Sequence, residues 1–200
     1  LSLQRVKKTG REVIEPFRAK NYKNEWLWLE TILTNHLHDP AVNGIVVNTR
    51  EITKQVEEKQ RLKLLESVIT HTNDAVLITE AEPVKEPGPK IVYVNDAFTR
   101  MTGYTATEII GKTPRILQGP DSNHEGLAKL GRAIRNWESY EVTTINYKKN
   151  GDPFWINFTV NPVANEDGWY THWIAIERDV TKSKLNEQKL LEAKEKALGL

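Results

Sequence analysis

The clearest chemical signal in this 200-residue chain is a pair of side chains at a strand-to-helix boundary. Asp179 and Thr181 follow the apolar run Trp173-Ile174-Ala175-Ile176 and precede a charged helical stretch. A carboxylate and a hydroxyl placed there can accept hydrogen bonds from backbone amides that neither element satisfies. They can act as an ordinary helix cap, as a link that makes strand position and helix direction interdependent, or as both. Glu51 and Thr53 repeat the pair after Asn43-Gly44-Ile45-Val46-Val47, with an acid one methylene longer, and Arg178 belongs with the second set.

Most other chemistry is excluded by composition. The chain has no cysteine, so disulfides, thiolate nucleophiles and cysteine-ligated zinc are ruled out, and the absence suits a reducing compartment. No nucleophile–base–acid set, phosphate-cradling glycine loop or zinc-protease motif occurs, so the chain is not expected to be an enzyme. His36 and His38 share a strand face without a third metal ligand, and His124 reads as a surface residue at a helix start. Basic and acidic residues number 28 and 27, for a net charge of +1, which gives no reason to expect a nucleic-acid partner. No apolar run approaches the roughly 20 residues of a membrane span, and a cytoplasmic location is expected. The chain reads as a piece of a longer protein.

The junctions need elements to position them. Residues 24–53 alternate as strands, broken at His38-Asp39-Pro40 and turned at Asn43-Gly44. Residues 53–70 read as a helix with Val56, Leu62, Leu65 and Ile69 forming a stripe. Strands follow at Ala75–Thr79 and Lys90–Val94, separated by a proline-rich loop over residues 80–89. Short helices are predicted at 95–102, 105–110 and 124–136, starting at Asp96, Thr105 and Ser122. Strands at Tyr140–Tyr147, Pro153–Val163 and Trp169–Arg178 lead to a charged helix over 182–200, with Leu185, Leu191 and Leu198 toward one face. This order predicts an α+β fold, an antiparallel sheet with helices on one face. The strand–turn–strand–helix ending of residues 24–70 recurs at 153–200, a repeat of domain scale whose first copy lacks its front half.

In that order, Ile91-Val92-Tyr93-Val94-Asn95-Asp96-Ala97-Phe98, Thr102-Gly103-Tyr104, Ile110-Gly111-Lys112, Tyr147–Gly151 and Arg178-Asp179-Val180-Thr181 resemble the PAS domain family. The resemblance covers about residues 63–181 and, more weakly, 11–53. It implies a PAS fold with the C-terminal part of a first PAS domain at 1–53, a connecting helix at 54–70, a complete second PAS domain at 71–181 and a signalling or coiled-coil helix at 182–200. Gly111–Pro120 is similar to the signature of the LOV subgroup, the flavin-binding blue-light sensors. From that subgroup Arg115, Gln118 and Asn146 carry over as ligand-pocket residues. Ile156 and Glu177 stand where the subgroup has an asparagine and a glutamine that bond the flavin ring, and Pro114 stands where it has the reactive cysteine. An arginine expected near Gly131 is missing, with Arg132 adjacent. Flavin photochemistry is therefore not expected, and the cofactor is left unknown. For each pocket residue a plain alternative stands: Arg115 as a surface residue, Gln118 as a cap, and Glu177 as a solvated strand residue instead of a buried acid that senses pH or pairs a cation.

Leu190–Ala197 resembles the helix that leads into the dimerisation region of bacterial sensor histidine kinases. The resemblance implies a signal-relay module with three kinds of partner: a second copy through the flanking helices, a downstream output domain of the same chain and a small-molecule ligand. The alternatives are a ligand-free dimerisation spacer and an input module of a diguanylate cyclase or phosphodiesterase.

Overall fold

The computed structural model describes residues 2–198, which fall into two compact units dividing after Ser67. The first unit opens with a helix, α1 (Ser2–Thr9), followed by an antiparallel meander of β1 (Arg11–Lys20), β2 (Trp26–His36) and β3 (Gly44–Glu51) in that spatial order. Val6 of α1 is buried with Leu33 of β2, and Ile52, at the end of the meander, is buried too. Thr31 and Thr49 face each other across the β2–β3 pair with their hydroxyls 2.9 Å apart. Strand reading in the sequence began only at residue 24, so α1 and β1 were missed. The reason lies in β1 itself, which has Pro16 and five charged residues in ten. Proline is tolerated on an edge strand or at an irregularity; β1 is one of the two edge strands of its sheet, and its register with β2 shifts between Ile14 and Phe17.

A helix, α2 (Thr53–His71), leads out of the first unit. Its boundaries match the sequence reading, but its side chains do not form one narrow stripe. Leu62, Leu64, Leu65 and Val68 are all exposed, and none of its residues is buried. Apolar residues at 62, 64, 65, 68 and 69 spread over a wide arc at about 100° per residue.

The second unit holds a five-stranded antiparallel sheet in the order β5-β4-β8-β7-β6. Its strands are β4 (Ala75–Glu80), β5 (Ile91–Val94), β6 (Tyr140–Tyr147), β7 (Pro153–Ala164) and β8 (Tyr170–Asp179). Between β5 and β6 run α3 (Asp96–Thr102), α4 (Ala106–Ile109), a 3-10 turn (Pro114–Leu117) and α5 (His124–Arg135). Period-2 alternation puts Phe154, Ile156, Phe158 and Val160 of β7 on the buried face, beside Trp173 and Ala175 of β8. Phe98, Ile109 and Leu117 from the helical side close the same core. Each such side chain contributes roughly 1.5–3 kcal/mol by its burial, which is what holds the small helices on the sheet.

α3 begins at Asp96 as expected, with Asn95 capping it by accepting from the Phe98 amide, whereas Asn123, not Ser122, caps α5 by accepting from the Gly126 amide. Ser122 is instead buried and donates to the Ile145 carbonyl at 2.7 Å. Thr105 does start α4, in a capping box with Glu108. The last helix, α6 (Thr181–Leu198), leaves Leu185, Leu190 and Leu191 exposed. The side chain of Leu198 and the helix reading at 199–200 lie outside the described residues.

Candidate functional site

Between the inner face of the sheet, α5, the 3-10 turn and the loop over 81–90 lies a cavity of about 240 Å³. Its walls are largely apolar, including Leu77, Leu117, Leu127, Phe158, Val160 and Trp173. Of the five predicted pocket residues, Arg115, Gln118, Asn146 and Glu177 line it and Ile156 does not. Ile156 is fully buried within the packed core cluster; it shares the β7 face of Phe158 and Val160, which do line the cavity, but lies further along the strand, away from the opening. Arg115 lies at the rim with its side chain half exposed and its Nη1 2.6 Å from Glu86 Oε1. Gln118 is exposed and ends the 3-10 turn, its backbone amide donating to the Arg115 carbonyl at 3.0 Å. Pro114 opens that turn and also faces the cavity.

Glu177 is the unusual member of the set. It is 4% exposed, and its Oε2 finds no hydrogen-bond partner among the described residues. Burial without a compensating charge disfavours the carboxylate and pushes its pKa from 4.5 up to about 8. The solvated-strand alternative is thereby set aside. Asn146, on β6, is 6% exposed and brings a second polar side chain to the same wall. Trp173 forms another part of it, donating from Nε1 to the Ala81 carbonyl at 3.2 Å where the loop begins. Trp173 also stacks on Trp137 at 5.2 Å, and Trp137 stacks on Tyr170 at 4.6 Å.

Two residues beyond Glu177 the strand becomes a helix. Thr181 Oγ1 accepts from the Trp155 amide at 2.9 Å, and Asp179 Oδ1 accepts from the Thr181 amide at 2.9 Å. The Val180 amide donates to the Trp155 carbonyl at 2.9 Å, completing the crossing from β8 to β7. Arg178 grips Asp74 through two contacts of 2.9 and 2.5 Å, and this hydrogen-bonded guanidinium holds the Asp74 carboxyl below its usual range. Asp74 lies just before β4, so the pair joins the entry and exit of the domain. The first unit repeats the geometry. Trp28 donates to Thr53 Oγ1 at 3.0 Å, and Ile52 donates to the Trp28 carbonyl at 2.8 Å. Glu51 is exposed and makes no hydrogen bond equivalent to that of Asp179.

Asn95 does more than cap α3. In the fold it is 2% exposed and its side chain makes four hydrogen bonds. Its Oδ1 accepts from the Val76 and Phe98 amides at 3.0 Å each, and its Nδ2 donates to the Ile69 carbonyl at 2.9 Å and the Asp74 carbonyl at 3.1 Å. One carboxamide thus holds the end of α2, the start of β4 and the start of α3 together. Nothing in the local sequence signals this, because the partners Ile69 and Asp74 stand 26 and 21 residues away. Among the described residues no group of three or more His, Cys, Asp or Glu side chains could hold a metal ion, and no helix is long and apolar enough to cross a membrane.

The family that matches this chain is the PAS domain, over residues 73–182, and the chain belongs to it. A bacterioopsin transcriptional activator of Halobacterium salinarum is 33% identical over 135 residues, 68% of this chain and 19% of the relative. A blue-light-activated histidine kinase of Brucella anthropi is 40% identical over 95 residues, 48% of this chain and 19% of the relative. The matched region is about a fifth of the length of either. Among solved structures, the LOV domain of a blue-light-activated histidine kinase of Erythrobacter litoralis superposes with a TM-score of 0.51 at 28% identity, covering 56% of this chain and 99% of that one.

The residues of the cavity do not fit covalent flavin chemistry. The wall position at 114 is proline, the sequence has no thiol anywhere, and Glu177 presents an unpartnered carboxyl.

Proposed function

We propose that this chain is a sensing and relay module of a multidomain signalling protein, in which the state of the cavity sets the direction of α6. One observation carries the reading. Glu177 in the cavity wall and the Asp179–Thr181 cap of α6 lie on the same strand, two and four residues apart. A shift of β8 at the cavity must move the cap, because a packed sheet transmits displacement instead of absorbing it. The Arg178–Asp74 pair brings the entry segment into the same motion, so a signal arriving along α2 has a route to α6 as well. The histidine-kinase relative favours a kinase as the output, and the transcriptional activator shows that similar domains also occur in proteins of another kind.

The test uses the full-length protein carrying Asp179→Ala and Thr181→Ala. Loss of a cap costs about 1 kcal/mol against the 5–15 kcal/mol that typically hold a domain, so the melting transition should persist while the output no longer responds to stimulus. A normal stimulus response in the double variant would remove the junction from the relay. The spacer alternative makes the opposite prediction, that a cavity-filling substitution such as Ala175→Leu leaves the response unchanged.

A further inference from the structure

The cavity also restricts what could occupy it, and this inference rests on reading it as the sensing site. An apolar cavity of about 150 Å³ accommodates benzene, so 240 Å³ corresponds to about two fused rings. That is below the roughly 300 Å³ at which pockets for larger organic ligands begin, and a three-ring flavin with its side chain exceeds it. Trp173 and Phe158 give the wall flat aromatic surfaces, suited to a planar ligand. The remaining requirement is set by Glu177. A buried polar atom without a partner is destabilising, and Oε2 is such an atom.

We propose that the cavity binds a planar two-ring nitrogen heterocycle that presents a ring-nitrogen acceptor beside an N–H donor to the Glu177 carboxyl. The carboxylic acid form matches that edge with two hydrogen bonds, its O–H donating to the ring nitrogen and its carbonyl oxygen accepting from the N–H. Burial keeps this acid form populated at neutral pH, with the pKa pushed up to about 8. Asn146, from β6, stands on the same wall to hold a further polar group of the ligand. The match would satisfy the orphaned oxygen, and the ligand would push on β8 two residues before the cap of α6.

Titration calorimetry on this chain with 7-azaindole, indole and riboflavin tests the proposal. 7-Azaindole carries the full donor–acceptor edge, and indole has the same size and N–H but lacks the acceptor. One unmatched hydrogen bond predicts binding of 7-azaindole at least about tenfold tighter than indole. Glu177→Leu should bring the two to near equality, and Glu177→Gln, whose amide offers the same paired edge, should keep the preference. Equal binding of the two probes to the unaltered protein, binding of neither, or tighter binding of riboflavin than of 7-azaindole would each overturn the proposal. The comparison on the unaltered protein stands even if Glu177→Leu does not fold. None of these outcomes depends on the relay, which the Asp179–Thr181 variant tests separately.

Discussion

Glu177 and Asn95 are both buried polar residues, and their positions give them opposite consequences. Glu177 is an acid whose folded-state pKa stands at about 8 against an ordinary 4.5. The folded chain therefore holds a proton that the unfolded chain releases between those values. The stabilising contribution is complete below about pH 4.5, declines as pH rises through the window and is gone above about 8. Asp74, held below its usual range by Arg178, titrates in the acid region and is silent there. Glu177→Gln should remove the decline. Thermal melts should show the variant gaining on the parent from pH 5 to pH 9, by about 5 °C or more at the alkaline end, and a gap that is constant with pH would contradict the assignment. Asn95 has all its partners, so Asn95→Ala strands two amides and two carbonyls at once. At about 1–3 kcal/mol for a buried group left unsatisfied, the second unit should lose about 3 kcal/mol or more, measured by chemical denaturation. A loss under about 1 kcal/mol would show that solvent or rearrangement replaces the clamp.

At the scale of elements, the repeated junction is the clearest result. A threonine at the first position of a helix accepts the amide of a tryptophan on the neighbouring strand in both units, through Thr53 with Trp28 and Thr181 with Trp155. Only the second copy adds the acid cap: Asp179 bonds the Thr181 amide, and Glu51, equally exposed, makes no such bond to Thr53. Thr181→Val keeps the shape and removes the acceptor, and should cost about 1 kcal/mol by thermal melt. Asp179→Glu should cost nearly as much as Asp179→Ala if the shorter acid is what the cap requires, and full retention of stability in Asp179→Glu would refute that. The segment after the 3-10 turn is also constrained. A Cβ on Gly119 would overlap the ring of Tyr147, whose hydroxyl donates to Asp121 Oδ2 at 2.7 Å. Gly119→Ala should therefore destabilise the second unit by about 1–3 kcal/mol, the usual range for overpacking.

For the whole molecule, the exposed leucines of α2 and α6 form apolar surface on both flanking helices. Leu62, Leu64 and Leu65 on α2 and Leu185, Leu190 and Leu191 on α6 are each at least half exposed. A second copy is the partner that the sequence resemblance implies, and burial of such residues favours association. Analytical ultracentrifugation should show a concentration-dependent dimer, weakened by Leu185→Glu with Leu191→Glu. A strict monomer at high concentration would count against self-association. The absence of cysteine makes a further prediction, that the absorbance of the purified protein shows no reversible bleaching under blue light.

The sequence by itself determined the element order from β2 onward, the α+β class and the position of both junctions. These rest on local properties: period-2 alternation, turn residues at Asn43-Gly44 and Asn150-Gly151, and the acid–apolar–Thr endings. It was weakest at β1, where Pro16 and five charged residues in ten hide a strand that pairs with β2. The relation between the pocket residues was decided by tertiary structure. Arg115, Gln118, Asn146 and Glu177 come from a turn and two non-adjacent strands, and Ile156, one strand away with the same alternation, turns into packed core. The state of Glu177, open in the sequence between a buried acid and a solvated strand residue, was decided for the same reason. A glutamate is an ordinary surface residue in sequence, and only the closure of the sheet under its helices removes the water that would keep it charged.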